Sequence, residues 1–366
     1  MTIAQTLEPD YFFGPGDTLQ EWLDENSMSQ AELALRLNLS TKALNQIIKV
    51  GAPLSQETAL KLETVTKVPA QFWNAKEAIF QERKLRLLEQ NIARENLKLL
   101  KEIPVGELRK RGVITAALRD QYAIYSQVIG FFQVADAKAW FATWGNHSLA
   151  FRKSKVHATK VGPLASWLRL GEIEAAKQEV GSFNATLLRQ ELPKIKALIG
   201  ERNPNVFLGQ IREILNQAGV RFVVIPEIPG TSCSGVTRWV SGIPTIQLSL
   251  RHKTDDQLWF TIFHEIGHVL DPAKKSMDIS TRDKIVVVDE RVKEREAEAD
   301  KFAAEMLIPS RFERFLHGVT NSQEITKFAE VHGVTPGIVV GRMQYINLID
   351  YSKFNTLKVR YKFNSN

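Results

Sequence analysis

Two histidines and a glutamate stand in the segment TIFHEIGHVL at a spacing that suits metal chemistry. His264 and His268 are four residues apart, so on a helix both imidazoles lie on the same side and can bind one ion. Glu265 cannot share that geometry, but it can reach a water molecule beside the ion and act as a general base. Because the neighbouring residues are apolar, burying these three side chains without partners would cost free energy. We therefore predict a metal site rather than two core histidines satisfied by hydrogen bonds.

The third ligand is expected from the acidic segment EAEADKFAAEML, which starts at residue 296. On a helix at about 100° per residue, Glu296 and Asp300 fall beside the apolar face, whereas Glu294 and Glu298 point away. Without the histidine motif this segment would be an ordinary acidic amphipathic helix, but with it Glu296 is the predicted ligand. Asp300 is predicted to accept the other N–H of a ligating histidine and so fix its tautomer. Two histidines, one glutamate and an open fourth position are typical of a catalytic Zn²⁺ site, with one ion per chain.

A second group of residues has the chemistry to read DNA. The segment SQAELALRLNLSTKALNQIIKV, residues 29–50, predicts two short helices around a tight turn. Ser40 or Thr41 can cap the second helix. The outer face of this helix is expected to carry amides that pair with adenine and lysines that meet phosphates. These side chains are Lys42, Asn45, Gln46 and Lys49. The pattern predicts a helix-turn-helix that binds DNA, and the alternative is the same fold used for protein contact.

Short strands must support the metal-binding helix. Apolar, β-branched runs bounded by glycine-containing turns predict strands at residues 222–225, 236–240 and 245–250. In the last strand Ile246 and Leu248 alternate with Thr245 and Gln247, which predicts a sheet with one face in water. A helix is expected to begin at Thr254 and to carry both histidines.

The whole chain is predicted to be multi-domain and mainly α, with a small β-sheet. Four regions are expected: a helix-turn-helix domain at 1–80, a helical linker or middle domain at 81–205, a metal-binding core at 206–310, and a helical cap at 311–366. Basic clusters and tryptophans in the second region fit either a nucleic-acid surface or a helical spacer with a tryptophan core, and we favour the spacer. The last region contains a second helix-turn-helix pattern, which could bind DNA, bind a protein substrate or cover the core, and we favour covering.

Composition limits the classes of protein. The chain has 366 residues, 48 Lys and Arg against 41 Asp and Glu, and a net charge of +7. Residues 1–85 contain 8 basic and 11 acidic side chains and so have a net charge of −3. This N-terminal segment therefore cannot bind DNA through its net charge alone. We find no apolar run near the roughly 18 residues of a membrane span and no signal peptide. The single cysteine, Cys233, excludes an intrachain disulfide, and we expect it to be a small packing residue rather than a metal ligand. We expect a cytoplasmic protein.

The segment HEIGH followed by EREAEADKFAAEMLIP resembles the ImmA/IrrE family of metallopeptidases over roughly residues 200–310. The resemblance implies a gluzincin-like α+β domain with zinc-dependent metalloendopeptidase activity. Members of this family studied as proteases cleave a helix-turn-helix repressor to switch on stress or mobile-element genes.

The segments PGDTLQEWLDENSMSQAELALRLNLSTKALNQIIK and APLSQETALKLETVTKVPAQFW resemble the XRE/HigA-type DNA-binding domain. This resemblance implies a five-helix, lambda-repressor-like head that binds a double-stranded operator, commonly as a homodimer. One departure is Lys49-Val50-Gly51, where the type has glycine followed by a basic residue. We therefore expect the second helix of the helix-turn-helix, the recognition helix, to end one residue later than is usual for this type and to lose a phosphate contact.

Together these features predict a DNA-binding transcriptional regulator with a zinc metalloendopeptidase domain, whose substrate is a repressor, a toxin, another regulatory protein or its own linker. No membrane partner is expected. The main alternative is a non-catalytic repressor or antitoxin whose zinc-binding fold is a sensor, and a third is a factor that grips a repressor without cleaving it. The residue that stabilises the oxyanion stays open among four candidates: His317, His332, Arg342 and Tyr345.

Overall fold

The computed structural model describes residues 13–145, 160–251, 253–271 and 290–363. The chain divides into two compact units, Met1–Leu97 and Lys98–Asn366. The sequence places the first boundary at residue 80, but one helix, Ala70–Asn96, runs across that position. The multi-domain, mainly α fold with a small sheet is confirmed, and the finer boundaries at 205 and 310 stay predictions. Within the described residues no helix is long and apolar enough to cross a membrane.

The described residues of the first unit form five α-helices. Its helices are α1 (Pro15–Glu25), α2 (Gln30–Arg36), α3 (Thr41–Asn45), α4 (Gln56–Thr66) and α5 (Ala70–Asn96). Serines at residues 29, 40 and 55 cap α2, α3 and α4 by accepting a main-chain N–H three residues later, which satisfies a donor that the first helical turn leaves free. The core is formed by buried leucines from every helix up to α4, closed by Trp73 of α5.

The recognition helix has an irregular second half. After Asn45, α3 continues as a π-helical turn, Gln46–Val50, and ends at Gly51 in the left-handed conformation with φ +65°. A π-turn takes one more residue into each hydrogen-bonded ring than an α-turn. Compared with the XRE/HigA-type pattern, this chain has one more residue before the glycine, and the wider π-turn accommodates it. The helix therefore ends one residue later, as the sequence predicts.

The second unit begins with helices and places the sheet after them. Its elements are α6 (Lys98–Glu102), α7 (Val105–Lys110), α8 (Gln121–Phe132), α9 (Ala137–Trp140), α10 (Val161–Ala175), α11 (Ala185–Ala197), α12 (Pro204–Gln217), β1 (Arg221–Val224), β2 (Gly235–Val240), β3 (Ile243–Leu248), α13 (Asp255–Leu270), α14 (Glu290–Leu307), α15 (Glu313–Leu316), α16 (Ser322–His332) and α17 (Pro336–Tyr345). Each observed strand overlaps its predicted range.

The three strands form one mixed sheet in the order β1-β3-β2. β1 runs parallel to β3, with Arg221 opposite Thr245. β2 and β3 form an antiparallel hairpin. The hairpin turns at Ser241 and Gly242, whose φ angles of +52° and +77° are typical of a type I′ turn.

The prediction that one face of the sheet is wet is wrong. Thr245 and Gln247 on that face are 3% and 1% exposed, because α10 packs over them. The Gln247 side chain donates to the carbonyl of Trp167 at 2.7 Å. Gly171 permits this approach, since a Cβ there would lie 1.8 Å from Gln247 Oε1. The sheet is therefore covered on both faces, by α10 on one side and by α13 on the other.

The basic cluster at residues 109–111 has structural partners. Arg111 donates to the carbonyls of Pro226 and Glu227, and Lys110 pairs with Glu107. Arg109 donates to the carbonyl of Ala116. The tryptophans at 140 and 167 are fully buried. These contacts favour the packed helical region over a nucleic-acid surface, and the second basic cluster, residues 152–155, lies outside the described residues.

The C-terminal helices cover the core, as the favoured prediction has it. Most of α17 is buried. Gly337 and Gly341 allow α17 to pack closely against α13. A Cβ at Gly337 would lie within 2.8 Å of the carboxylate oxygens of Asp255, and a Cβ at Gly341 would lie 2.8 Å from the Cβ and Oδ2 atoms of Asp256. The chain then returns to α13, where the main chain of Asp255 donates to Val359 at 2.9 Å.

Candidate metal centre and DNA-reading helix

Three predicted ligands converge at one point between α13 and α14. The Nε2 atoms of His264 and His268 are 3.0 Å apart. The carboxylate oxygens of Glu296 lie 3.4 Å from His264 Nε2 and 3.3 Å from His268 Nε2. Each of the three residues offers one ligand atom, and within the described part of the chain this is the one such His, Cys, Asp and Glu cluster.

The spacing of these atoms fits a tetrahedral ion. Bonds of about 2.0–2.1 Å from zinc to nitrogen and oxygen separate two tetrahedral ligands by about 3.3 Å. The two Nε2 atoms are 3.0 Å apart, one Glu296 oxygen lies 3.4 Å from His264 Nε2, and the other lies 3.3 Å from His268 Nε2. Both histidine side chains are 9% exposed. Two neutral imidazoles and one carboxylate match the ligand preference of Zn²⁺. The residues present can therefore hold this metal.

Close helix packing brings the carboxylate to the histidines. Gly267 of α13 faces α14, where a Cβ would lie 3.1 Å from the ring of Phe302 and 3.3 Å from the Cα of Ala299. A Cβ at residue 267 would therefore be tightly confined between the two helices. The glycine between the two histidines allows the close packing of α13 and α14 from which Glu296 reaches them.

Asp300 lies where the sequence predicts it. Its Oδ1 atom is 2.8 Å from Nδ1 of His264. A carboxylate in this position accepts the Nδ1–H of a neutral imidazole and leaves Nε2, the atom that faces the other ligands, without a proton. The role of Asp300 beside a metal stays a prediction.

Glu265 does not point with the ligands but toward β2. Its side chain is 1% exposed, and Thr237 Oγ1 lies 2.8 Å from its Oε2 atom. Thr237 is not among the residues predicted from the sequence. The one available signal in the sequence was the alternation of side chains along β2, which places residues 235 and 237 on the face opposite Val236. That alternation does not show which helix packs on this face.

The four candidates for oxyanion stabilisation lie in three different environments. Arg342 and Tyr345 line a cavity of 260 Å³ that also contains Asp300 and Phe260 of the metal-binding helices. His332 instead contacts two phenylalanines, Phe312 and Phe328, whose tilted rings have centroids 4.3 and 4.2 Å from its own. Burial lowers the pKa of His332. His317 is exposed.

Cys233 is the small packing residue that we expected. It is 1% exposed, packs with Trp167 and Val236 on the α10 face of the sheet, and donates to the carbonyl of Gly235 at 2.8 Å. The two histidine ligands lie on α13, which packs on the opposite face of the sheet.

The predicted DNA-contacting residues lie along the whole recognition helix, from its cap to its π-helical turn. Ser40 caps α3, with its Oγ accepting the N–H of Ala43 at 3.1 Å. The other exposed side chains are Thr41, Lys42, Gln46 and Lys49. Asn45 is only partly exposed, and its Oδ1 atom is buried with no hydrogen-bond partner among the described residues. Pairing of Asn45 with adenine would therefore require this side chain to turn outward.

Comparison with known families gives two matches. Residues 19–73 match the helix-turn-helix family model, and residues 223–344 match the model for the IrrE N-terminal-like domain of the M78 peptidases. No curated protein matches the chain. The predicted fusion of an XRE-type head with an ImmA/IrrE-type domain is thus confirmed. The chain combines a domain typical of DNA-binding regulators with a metallopeptidase-like domain, whose family implies a metal, typically zinc.

Proposed function

We propose that this protein is a DNA-binding transcriptional regulator of the cytoplasm whose second unit is a zinc-dependent endopeptidase that cleaves another regulatory protein. One observation carries the proposal: His264, His268 and Glu296 bring their ligand atoms within 4.8 Å of one another. The adjacent Glu265 has the chemistry of a general base. The match to the M78 family supports the same activity.

The ligands would be His264, His268 and Glu296, with Asp300 orienting the first of them. When bound, zinc supplies a Lewis acid that polarises a carbonyl and lowers the pKa of a water molecule. Glu265 accepts a proton from the attacking water at a carboxylate oxygen. It then gives this proton to the nitrogen of the leaving amine, so the carboxylate is restored at the end of each cycle.

A protein that binds DNA is the substrate class that suits the fusion. A peptidase joined to a DNA-binding head meets proteins on the same or a neighbouring operator at a high effective concentration. A repressor with a helix-turn-helix is therefore the favoured substrate, followed by a toxin encoded beside it. The exposed Gln46 and lysines of the recognition helix would give the head its base and phosphate contacts.

The test compares the wild type with Glu265→Gln in cells. This variant keeps the size of the side chain and the three ligands but cannot accept the proton, so cleavage should fall by about 10²- to 10⁴-fold while zinc content and operator binding stay unchanged. Mass spectrometry of new protein N-termini identifies the product, and the exposed Glu298→Gln is the matched control.

The same experiment distinguishes the proposed endopeptidase from the alternative, a non-catalytic sensor. If wild type and Glu265→Gln give the same set of N-termini, and zinc instead alters operator affinity, the second unit is a sensor. If the purified chain takes up no zinc under replete conditions, both versions of the metal site are wrong.

A further inference from the structure

A threonine on β2 is placed against the carboxylate that we propose as general base. Thr237 Oγ1 lies 2.8 Å from Oε2 of Glu265 and 2.9 Å from the main-chain oxygen of the same residue. Thr237 is 9% exposed and Glu265 is 1% exposed. A hydrogen bond to an ionised group that is shielded from water is among the stronger ones in proteins. We infer that Thr237 is a positioning residue, whose hydroxyl holds Oε2 and thereby orients the carboxylate for proton transfer.

The hydroxyl is held by an element that is independent of the metal-binding helix. Thr237 lies within β2, opposite Ile246 of β3. Its β-branched side chain has few χ1 positions. The next residue, Arg238, anchors the strand from the other face through a 2.9 Å ion pair with Glu172 of α10. The position of Oγ1 is therefore fixed by the sheet and α10, and Glu265 is oriented against this support.

The geometry serves both protonation states of the carboxyl group. The hydroxyl has one proton and two acceptors within 2.9 Å. While Glu265 is ionised, the carboxylate is the stronger acceptor and takes this proton. After Glu265 has accepted a proton from water, the hydroxyl can turn to the main-chain oxygen, so neither state leaves it without an acceptor. The Thr237 hydroxyl therefore keeps an acceptor on Glu265 throughout.

Gly235 provides the space for this arrangement. It lies two residues before Thr237 and on the same face of β2. A Cβ at this position would come within 2.9 Å of Glu265 Oε1 and 2.8 Å of Thr261 Cγ2. Thr237 holds the carboxylate, and the missing side chain at 235 leaves room for it.

This inference rests on the proposed function, because orientation matters only if Glu265 moves a proton. Its test needs no natural substrate. The full chain is loaded with Co²⁺, and acetohydroxamate is titrated while visible absorption is followed. This probe ligates the metal and shares a hydrogen bond with a neighbouring carboxylate, so its affinity reports the position of Glu265. The variants are Thr237→Val, Thr237→Ser and Glu265→Gln, with Thr245→Val as a buried threonine on the other face of the sheet.

We expect all variants to bind one Co²⁺ per chain. Losing a hydrogen bond to a charged group should weaken acetohydroxamate binding to Thr237→Val about tenfold. Thr237→Ser keeps the hydroxyl and should stay within about twofold of the wild type, as should Thr245→Val.

Three results would overturn the inference in distinguishable ways. If Glu265→Gln weakens binding but Thr237→Val does not, Thr237 has no positioning role and the proposed base stands. If neither variant changes the affinity, the base itself is wrong. If Thr237→Val loses Co²⁺ and Thr237→Ser does not restore it, the threonine supports only the fold.

Discussion

At the scale of single residues, the contact between Asp300 and His264 gives a quantitative expectation for metal affinity. With Oδ1 of Asp300 at 2.8 Å from Nδ1, the carboxylate fixes the tautomer that exposes Nε2. Removing such a partner costs about 10- to 100-fold in metal affinity. We expect Asp300→Ala to raise the zinc Kd by this factor in a chelator competition, and Asp300→Asn, which keeps an acceptor, to have a smaller effect.

Glu298→Ala is the matched control, because this glutamate lies on the same helix but is exposed. Equal zinc affinities of Asp300→Ala and the control would show that the contact does not tune the site.

A second prediction for a single residue concerns how the free energy of unfolding depends on pH. Asp255 is 0% exposed and accepts from the Thr335 hydroxyl and the Val359 N–H. Burial raises the pKa of Asp255 from 3.8 to about 6. Since the folded chain then holds this proton more tightly than the unfolded chain, the free energy of unfolding falls as pH rises from 3.8 to 6 and stays level above that range. The fall from this group is about 3 kcal/mol.

Asp255→Asn should lack this fall, so its unfolding free energy relative to wild type should increase between pH 4 and pH 7 in urea titrations. Asp350→Asn should give a change of opposite sign, and only below pH 3.8, because hydrogen bonds from Ser352 lower the pKa of Asp350 from that value. A pH-independent difference between wild type and Asp255→Asn would contradict the buried-charge explanation.

At the scale of elements, the approach of α10 to the sheet depends on one glycine. A Cβ at Gly171 would lie 1.8 Å from Gln247 Oε1, and Gln247 cannot easily move because its amide donates to Trp167. We expect Gly171→Ala to destabilise the second unit by about 1–3 kcal/mol. Gly209→Ala in α12, where no atom lies within 4 Å of the added Cβ, should be neutral or stabilising by up to about 1 kcal/mol. Thermal unfolding of both variants checks the contrast.

The recognition helix gives a further pair of variants with different expectations. Gln46 and Lys49 are both exposed on its π-helical turn. Gln46→Ala should relax base preference at one position and cost about 1–3 kcal/mol on the operator. Lys49→Gln should weaken binding to all sequences and reduce the salt slope by about 1. Fluorescence anisotropy over a salt series separates the two effects, and two identical slopes would remove Lys49 from the phosphate contacts.

The elements also show which features a sequence can reveal. The metal ligands and strands were readable because helical and strand periods are local signals: His264 and His268 are one helical turn apart, and residues 245–250 alternate. The covered face of β3 was not readable, because Gln247 is buried by a contact with Trp167, 80 residues earlier. Thr237 was missed for the same reason, since its contact with Glu265 spans 28 residues.

At the scale of the whole molecule, each unit has its own core and its own candidate ligand. The first core is centred on the buried leucines and Trp73, and the second surrounds α13 with its histidines. A ligand stabilises only the folded unit that binds it. We therefore expect two calorimetric transitions, with zinc raising the midpoint of one and an operator duplex raising the midpoint of the other.

The size of the zinc effect can be anticipated. At about a thousand times its Kd, a ligand adds about 4 kcal/mol, which in a unit of this length corresponds to about 10 °C. A chelator should reverse this shift, and His264→Ala should abolish it without altering the operator-dependent transition. If instead both ligands move one common transition, the two units unfold together. Metal occupancy would then be thermodynamically linked to DNA binding, because each ligand would stabilise the state that binds the other.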